Sequence, residues 1–415
     1  MSEAVEKGLQ NNYAIRLADI NTQIARNNNS WGNAGRWPRL DLNVNGSAAR
    51  SGNPASFVPG RESTSAGLNF NWTLFDGFAI QANKARFELL QEQSEGNAAV
   101  VIETNVQAIM LGYYNVLLAT SQLNILQEVL NNSRERLNYE AFRKELGSTG
   151  TFDILQFKNA YLVDSTNLIA QELILNNAQR TLSLVMGEEV NAIFTLTDTL
   201  PVTYPAYVYE DLVQAMSSNN QNLKNQFVNQ QIRLQESRIA QAGRYPVVGI
   251  NAGSTYALGR VLRRNFDPAT VEIMPTIAQN FNAFDYNAGF TLSFNLYNGK
   301  NLKRQIQQAH LNELLTEVQG KELEQSLANE LRLHFDNYQA RIRIFQLQTY
   351  NVANANLNLE LASERFQSGL INSFDYRTIQ LQYRNAQLSK LQALRNLKES
   401  ETELIRLTGG FIQQK

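Results

Sequence analysis

The sequence predicts a mainly α-helical fold built as a tandem structural repeat, with two β-strands in each half. Three observations carry that reading. One stretch occurs twice: AGRWP (34–38) followed by AGLNFNWTLFDG (66–77) returns as AGRYP (242–246) followed by AGFTLSFNLYNG (288–299). Strict apolar/polar alternation runs inside both copies. Proline is absent from long tracts outside them, where apolar residues recur at heptad spacing. Self-similarity at a long offset sets the architecture before any local detail does.

The opening motifs stand 208 positions apart and the closing motifs 222, so the second copy carries 14 extra residues. Leu40, Leu42 and Val44 alternate with Asp41, Asn43 and Asn45, and Leu68, Phe70, Trp72 and Leu74 with Asn69, Asn71 and Thr73. In the second copy Val248, Ile250 and Ala252 alternate with Gly249, Asn251 and Gly253, and Phe290, Leu292, Phe294 and Leu296 with Thr291, Ser293 and Asn295. Successive strand side chains point to opposite faces, which gives each sheet one apolar and one uncharged polar face. That suits a half-buried soluble sheet, and equally a membrane barrel with lipid outside and water inside. The strands fall within residues 37–77 and 245–299, about 10 residues each. Gly/Pro/Ser-rich loops are expected near 51–64 and 260–282, with the extra residues in the second. Arg260, Arg263 and Arg264 make that loop basic, as a solvated loop often is.

Helices account for the rest. Residues 3–33 and 210–242 lead into the strands through the two R(W/Y)P motifs, where proline ends the helix. All eight prolines lie in or near strands, loops or the central link. Residues 78–146 and 300–368 each form a rod about 100 Å long at ~1.5 Å per residue. Return helices at 153–186 and 375–408 are half that length, and stacking each end to end on a helix preceding the strands restores it. Leu123, Leu130 and Leu137 lie seven apart, as do Phe345, Val352, Leu359 and Phe366, and Tyr161, Leu168, Leu175 and Leu182. Such ladders give a coiled-coil seam. The first repeat covers 1–186, a link 187–209 holds one alternating piece at 194–196, and the second repeat covers 210–415.

Composition excludes several functions. Net charge is -1, so no global field favours nucleic acid. There is no cysteine, hence no disulfide, thiolate metal site or thiol nucleophile. His310 and His334 lack ligand-like spacing, so neither a metal nor a cofactor is expected. No apolar run approaches the ~20 residues of a membrane helix, and no secretory leader pattern is present. No nucleophile–base pair or phosphate loop points to an enzyme.

Two sharp turns join the long helices to their return helices: FRKELGSTGTFD (142–153) and ERFQSGLINSFD (364–375). Arg143, Gly147, Phe152 and Asp153 recur at offset 222 as Arg365, Gly369, Phe374 and Asp375. Glycine just past a helix end is the expected C-cap, and an acid near the next start suits the helix dipole.

Four strands with an outward apolar face cannot close a barrel, and open edges do not persist in lipid. A dimer sharing one barrel gives 8 strands and a trimer 12. With its R(W/Y)P entries, LFDG and LYNG exits and G-x5-D turns in fixed order, the chain resembles the TolC-like outer-membrane efflux proteins, or outer membrane factors. The likeness runs from LQNN (9–12) to MGE (186–188) and TGG (408–410). It implies a homotrimer in the outer membrane of a Gram-negative bacterium. Its chains share a 12-stranded barrel above a long periplasmic coiled-coil α-barrel. The implied function is the passive exit duct of a tripartite efflux or type I secretion system, working with a periplasmic adaptor and an inner-membrane transporter.

The resemblance also assigns residues. Leu146, Gly147, Ser148, Ser368, Gly369 and Leu370 would dock adaptor hairpins. Asp153 and Asp375 would ring the closed periplasmic entrance, with Arg365 and Arg143 as partners in the closed state. Where many members carry a second acid three residues on, this chain has Thr378. From the alternation, Asn43, Asn45, Asn69, Asn71, Thr291, Ser293 and Asn295 would line the barrel lumen. Leu42, Val44, Phe70, Trp72, Leu292 and Phe294 would face outer-membrane lipid. The alternative is a periplasmic coiled-coil scaffold or adaptor with a soluble β-domain. It would not need aromatic residues such as Trp37, Trp72, Phe75, Tyr245 and Tyr297 near strand ends.

Overall fold

The computed structural model describes residues 1–51, 58–189, 196, 198–266 and 273–413. The elements run α1 (Ser2–Asn11), α2 (Tyr13–Asn28), β1 (Arg39–Arg50), β2 (Gly60–Phe75), α3 (Ala79–Glu145), α4 (Thr151–Met186), α5 (Tyr209–Asn219), α6 (Gln221–Ala242), β3 (Val247–Phe266), β4 (Ile273–Ser293), α7 (Asn301–Gln367), α8 (Ser373–Leu407) and α9 (Gly410–Gln413). Both long helices have 67 residues. The chain divides into two compact units. One holds residues 1–22, 94–227 and 319–415; the other holds 23–93 and 228–318, including the whole sheet.

In the helical unit the core draws on both repeats. Ile109 and Leu182 from the first meet Leu331, Leu397 and Leu404 from the second, with Met186, Met216 and Tyr338 among them. The heptad ladders meet as well: Leu126, Leu130 and Leu168 form a smaller cluster against which Leu123 and Tyr161 pack. Described parts of the link are strapped to the core by Tyr204 and Tyr207. Tyr338 donates from its hydroxyl to the Pro205 carbonyl (2.7 Å), and Lys398 donates to the Thr203 carbonyl. Of the alternating piece at 194–196, only Leu196 lies within the described residues, and it packs on the core.

The single helices expected before the strands are each split at an asparagine. Asn12 separates α1 from α2 and Asn220 separates α5 from α6, at positions related by the repeat. Both are buried. The Asn12 Oδ1 accepts from the N–H groups of Ala14 (2.8 Å) and Ile15 (3.2 Å), capping α2. Its Nδ2 donates to the Val185 carbonyl (2.6 Å), at the end of α4. Asn220 likewise caps α6 through Leu223 N–H (3.1 Å) and donates to the Leu407 carbonyl at the end of α8 (3.0 Å). One amide thus satisfies orphan groups at the start of one helix and the end of another. Gly187 and Gly409 let the ends meet. Both adopt positive φ, and a Cβ there would stand 2.5 Å from the Asn11 carbonyl oxygen and 2.7 Å from that of Asn219. The end-to-end stacking inferred from helix lengths therefore has its joint at the NN motifs.

The sheet is antiparallel in the order β1-β2-β3-β4. Its strands, of 12, 16, 20 and 21 residues, exceed the expected ten or so. Most of the expected loops are therefore strand. Arg260 sits opposite Glu62 and Asn280, Arg263 opposite Ile277 and Arg264 opposite Thr276. Residues 52–57 and 267–272 of those expected loops lie outside the described residues. Gly, Ser and Ala read as turn residues in sequence, but backbone pairing across three ladders overrides that weak preference. Pro275 falls within β4, an edge strand of this sheet, next to a register shift between Arg264 and Phe266. β4 stops at Ser293, which pairs with Val247; the next partner would be Pro246, which has no N–H to give. Phe294 and Asn295 therefore lie past the strand end, not within it. Among the described residues, no helix is long and apolar enough to cross a membrane.

Candidate functional site

Each turn ends its long helix in the same way. Gly147 N–H donates to the Lys144 carbonyl (2.9 Å) and Ser148 N–H to that of Arg143 (2.8 Å). Gly369 and Leu370 repeat the pair onto Phe366 (3.1 Å) and Arg365 (2.8 Å). With φ of 71° and 77° at the glycines, both are Schellman caps. A Cβ at either glycine would meet nothing within 4 Å. Leu146 and Leu370 are 64% and 75% exposed, and Phe152 and Phe374 are exposed beside them, so both turns present apolar groups to solvent. Ser148 and Ser368 are exposed too.

The acids after the turns differ. Asp153 accepts at Oδ1 from the Ser373 hydroxyl of the other repeat (2.7 Å) and at Oδ2 from Thr149 (3.4 Å). Asp375 is exposed, and the cap of α8 is supplied by Asn372, whose Oδ1 accepts from Asp375 N–H (2.8 Å). Its carboxylate has no partner among the described residues. The two arginines differ in the same way. Arg143 donates to the buried Glu140 carboxylate (3.2 Å) and to the Ser148 carbonyl (3.1 Å). The counterpart of Glu140 is Ala362, and Arg365 is exposed without a side-chain partner among the described residues.

Above the turns lies a buried ionic cluster that sequence reasoning missed. Asp164 of α4 is 2% exposed. It accepts from Arg377 of α8 (2.7 Å) and from the Ser133 hydroxyl of α3, with Arg384 of α8 at 3.9 Å. Arg377 also donates to Gln380 (2.8 Å). Burial pulls the Arg384 guanidinium below its usual pKa, and Asp164 opposes that pull. Beside the cluster, Arg136 lies 5.0 Å from the Tyr376 ring centroid, which stacks on Phe366 at 5.0 Å. These contacts join α3 and α4 of the first repeat to α7 and α8 of the second.

The sheet separates its faces as the alternation predicts. Directly opposed residues share a face, so Asn43 with Gly67, Asn69 with Gly253, Asn71 with Asn251 and Thr291 with Gly249 belong to one polar side. Asn45 opposes Ser65 and Ser293 opposes Val247. The Thr291 hydroxyl donates to the Asn251 Oδ1 (3.4 Å). On the other side Leu42, Val44 and Leu292 are 60–66% exposed and Trp72 38%. A bulge between Thr73 and Phe75 places Phe75, not Leu74, opposite Val248. The Trp72 indole N–H donates to the Arg36 carbonyl (3.0 Å).

Comparison with known sequences settles the family: the outer membrane efflux protein family matches residues 4–188 and 212–410. The chain belongs to that family. Membership places this efflux-family protein in the outer membrane, with its long helices as a periplasmic extension. An outer-membrane efflux protein is neither a periplasmic scaffold nor an enzyme, so membership removes both alternatives. The chain is 29% identical over 190 residues to the cation efflux system protein CusC of Escherichia coli O157:H7, covering 44% of this chain and 39% of that protein. Its identity to the outer membrane protein TolC of Salmonella enteritidis is 22% over 341 residues, covering 80% and 66%. It therefore spans less than two thirds of the length of either relative. The crystal structure of VceC from Vibrio cholerae shares the fold, with a TM-score of 0.75 at 16% identity over 98% of this chain and 95% of that one.

What sequence reasoning missed in this family member has a common signature: lack of symmetry. Arg377 and Arg384 have Leu155 and Leu162 as their repeat counterparts, Asp164 has Ala386, and Glu140 has Ala362. Lining up the halves for charges present in only one would have marked all four.

Proposed function

We propose that three copies close a single 12-stranded barrel in the outer membrane and serve as the passive exit duct of a tripartite efflux or type I secretion system. The observation that carries this is the sheet itself. Its apolar face is exposed, and β1 and β4 each have an edge without a strand partner among the described residues. In lipid such edges must be paired, and β1 of one copy against β4 of the next pairs every strand. Asn43, Asn45, Asn69, Asn71, Thr291 and Ser293 then line a polar lumen, with Asn295 at its rim. The partners are a periplasmic adaptor and an inner-membrane transporter, which supplies the energy.

The turns are the docking tip in this reading. Leu146, Gly147, Ser148, Ser368, Gly369 and Leu370 offer exposed apolar groups flanking bare glycine backbone, which lets a partner helix approach closely. Asp375, free of capping duty, forms a threefold carboxylate ring at the entrance. Such a ring selects cations and repels anions. Arg365, without a side-chain partner among the described residues, reaches a neighbouring copy in the closed state. Asp153 and Arg143 hold the turns from within.

The test is mass and conductance on one preparation. Detergent-solubilised protein should scatter light as three chains and form channels in a planar bilayer. Asp375→Ala should weaken block by multivalent cations from the periplasmic side. A monomeric mass, or channels absent from lipid, defeats the duct; unchanged block in Asp375→Ala removes only the gate assignment.

A further inference from the structure

The apolar face of the sheet ends in charges, and where it ends is set by register. Opposed residues form rows across that face, beginning with Val248 opposite Leu292 and ending with Leu258 opposite Thr64. The first five of these six rows are apolar, aromatic or small, and the sixth sets Leu258 between Thr64 and Asn282. Rows two residues apart are ~6.8 Å apart along a strand. With the ~40° tilt of outer-membrane barrels, five steps span about 26 Å, close to the ~25 Å apolar band such barrels present to lipid. The next positions on the same face are Glu62 and Arg260, directly opposed, then Arg50 opposite Gly60, and then Arg264. The charges therefore start at headgroup depth.

Local geometry shows how these charges are disposed. Arg50 lies across Gly60, where a Cβ would stand 2.3 Å from its Nη1 and 3.0 Å from its Cδ. It reaches Glu62 at 2.5 Å. The carboxylate on this face is thus engaged by Arg50, while Arg260, exposed and directly opposite Glu62, has no side-chain partner among the described residues. Arg264 lies four residues further along the same face. Arg61 and Arg263 belong to the opposite, lumen side, where Arg61 stacks over the Phe281 ring at 5.2 Å.

We propose that Arg260, supported by Arg50 and Arg264, binds the phosphate groups of outer-leaflet lipid headgroups, of the phosphorylated glucosamine type. The inference rests on the barrel reading above, which turns this face to lipid. A guanidinium matches phosphate with paired N–H donors and keeps its charge at any physiological pH. The Arg50–Glu62 pair fixes one guanidinium beside the site, and threefold assembly repeats it around the barrel's outer rim.

The test uses the trimer in phosphatidylcholine nanodiscs doped with bisphosphorylated lipid A or with the same lipid dephosphorylated. Lipid retained per trimer is counted by native mass spectrometry. The wild type should retain the bisphosphorylated form preferentially. Arg260→Ala with Arg264→Ala should lower that retention about 30-fold, as expected for removing two cations, each worth about 1 kcal/mol, from a charged lipid surface. Arg263→Ala, on the lumen side, should leave it unchanged, and Arg260→Lys with Arg264→Lys should restore part of it. No preference in the wild type, an equal loss in Arg263→Ala, or displacement of the lipid by equimolar inorganic phosphate overturns the lipid site while leaving the barrel intact. A trimer that fails to enter nanodiscs overturns both.

Discussion

The two repeats share a scaffold but not a charge pattern. The equivalent glycines Gly147 and Gly369, Gly187 and Gly409, and Gly77 and Gly299 all take positive φ. Phe78 and Lys300, also equivalent, follow them into the left-handed region at the start of the long helices. Asn12 and Asn220 make the same joint. Against this, Asp164, Glu140 and Glu103 occur only in the first repeat, with Ala386, Ala362 and Gln325 opposite them, and Arg377 and Arg384 only in the second. Backbone geometry that both halves need is kept in both. The ion pairs that tie one half to the other need an acid on one side and a base on the other, so symmetry has to break there. Arg365 illustrates the by-product: it inherits the turn but not the Glu140 that engages its twin.

The largest effect should come from emptying the asymmetric cluster. Asp164→Ala leaves Arg377 and Arg384 facing each other without a carboxylate, a change that costs about 3–5 kcal/mol for a buried pair. Thermal melting of the detergent-solubilised protein, followed by circular dichroism, should show the largest fall of this series. A small change would mean that solvent already reaches the cluster.

The symmetric joints should respond symmetrically. Gly187→Ala and Gly409→Ala each force a Cβ into a neighbouring carbonyl from a left-handed residue, at a cost of roughly 1–3 kcal/mol. The two melting shifts should agree; a loss confined to one repeat would show that only one joint bears load.

Glu103 offers a pH test. It is buried, its Oε1 has no hydrogen-bond partner among the described residues, and burial pushes its pKa from 4.5 up to about 7, against the pull of Arg406 and Lys224. The folded state therefore holds this proton more tightly than the unfolded chain does. Stability falls as pH rises from about 4.5 to about 7 and stays lowered above that. Glu103→Gln, which gives the first repeat the residue of the second, should flatten this part of the melting profile between pH 5 and 8.

The smallest effect belongs to the turns. Glu140→Ala makes the first turn like the second and should cost about 1 kcal/mol, because Arg143 is partly solvated and keeps its bond to the Ser148 carbonyl. Resting conductance should not change. Arg365→Ser should instead raise it with little effect on melting. Equal conductance changes in the two variants would erase the distinction between the arginines.

Much of this fold could be read from sequence because motif order and heptads are local or repeated. The Schellman turns, the long helices and the face assignments of Asn69, Asn71 and Trp72 all follow from short-range pattern. Strand length did not follow, since Ser63, Ser65 and Gly259 carry turn-like composition and are held by pairing on both sides, with a hairpin partner and with a strand of the other repeat. The helix breaks did not follow either: residues 3–33 and 210–242 each read as one helix, and nothing local says that Asn12 meets Val185. The Asp164 cluster lay furthest out of reach, because its partners are separated by 213 residues and have no counterpart in the other repeat.

The asparagine joints also bear on the order of folding. Each closes a long loop, with Asn12 and Val185 173 positions apart and Asn220 and Leu407 187. Closure of a loop that size carries an entropic cost that local helix formation does not. The α3–α4 and α7–α8 hairpins, whose strands of helix adjoin through a few residues, form without that cost. The rods are thus assembled in two tempos, hairpins early and splices late. Until the splices close, the Val185 and Leu407 carbonyls at the ends of α4 and α8 lack their amide donors, and α2 and α6, capped locally by the same asparagines, are not yet tied to the hairpins.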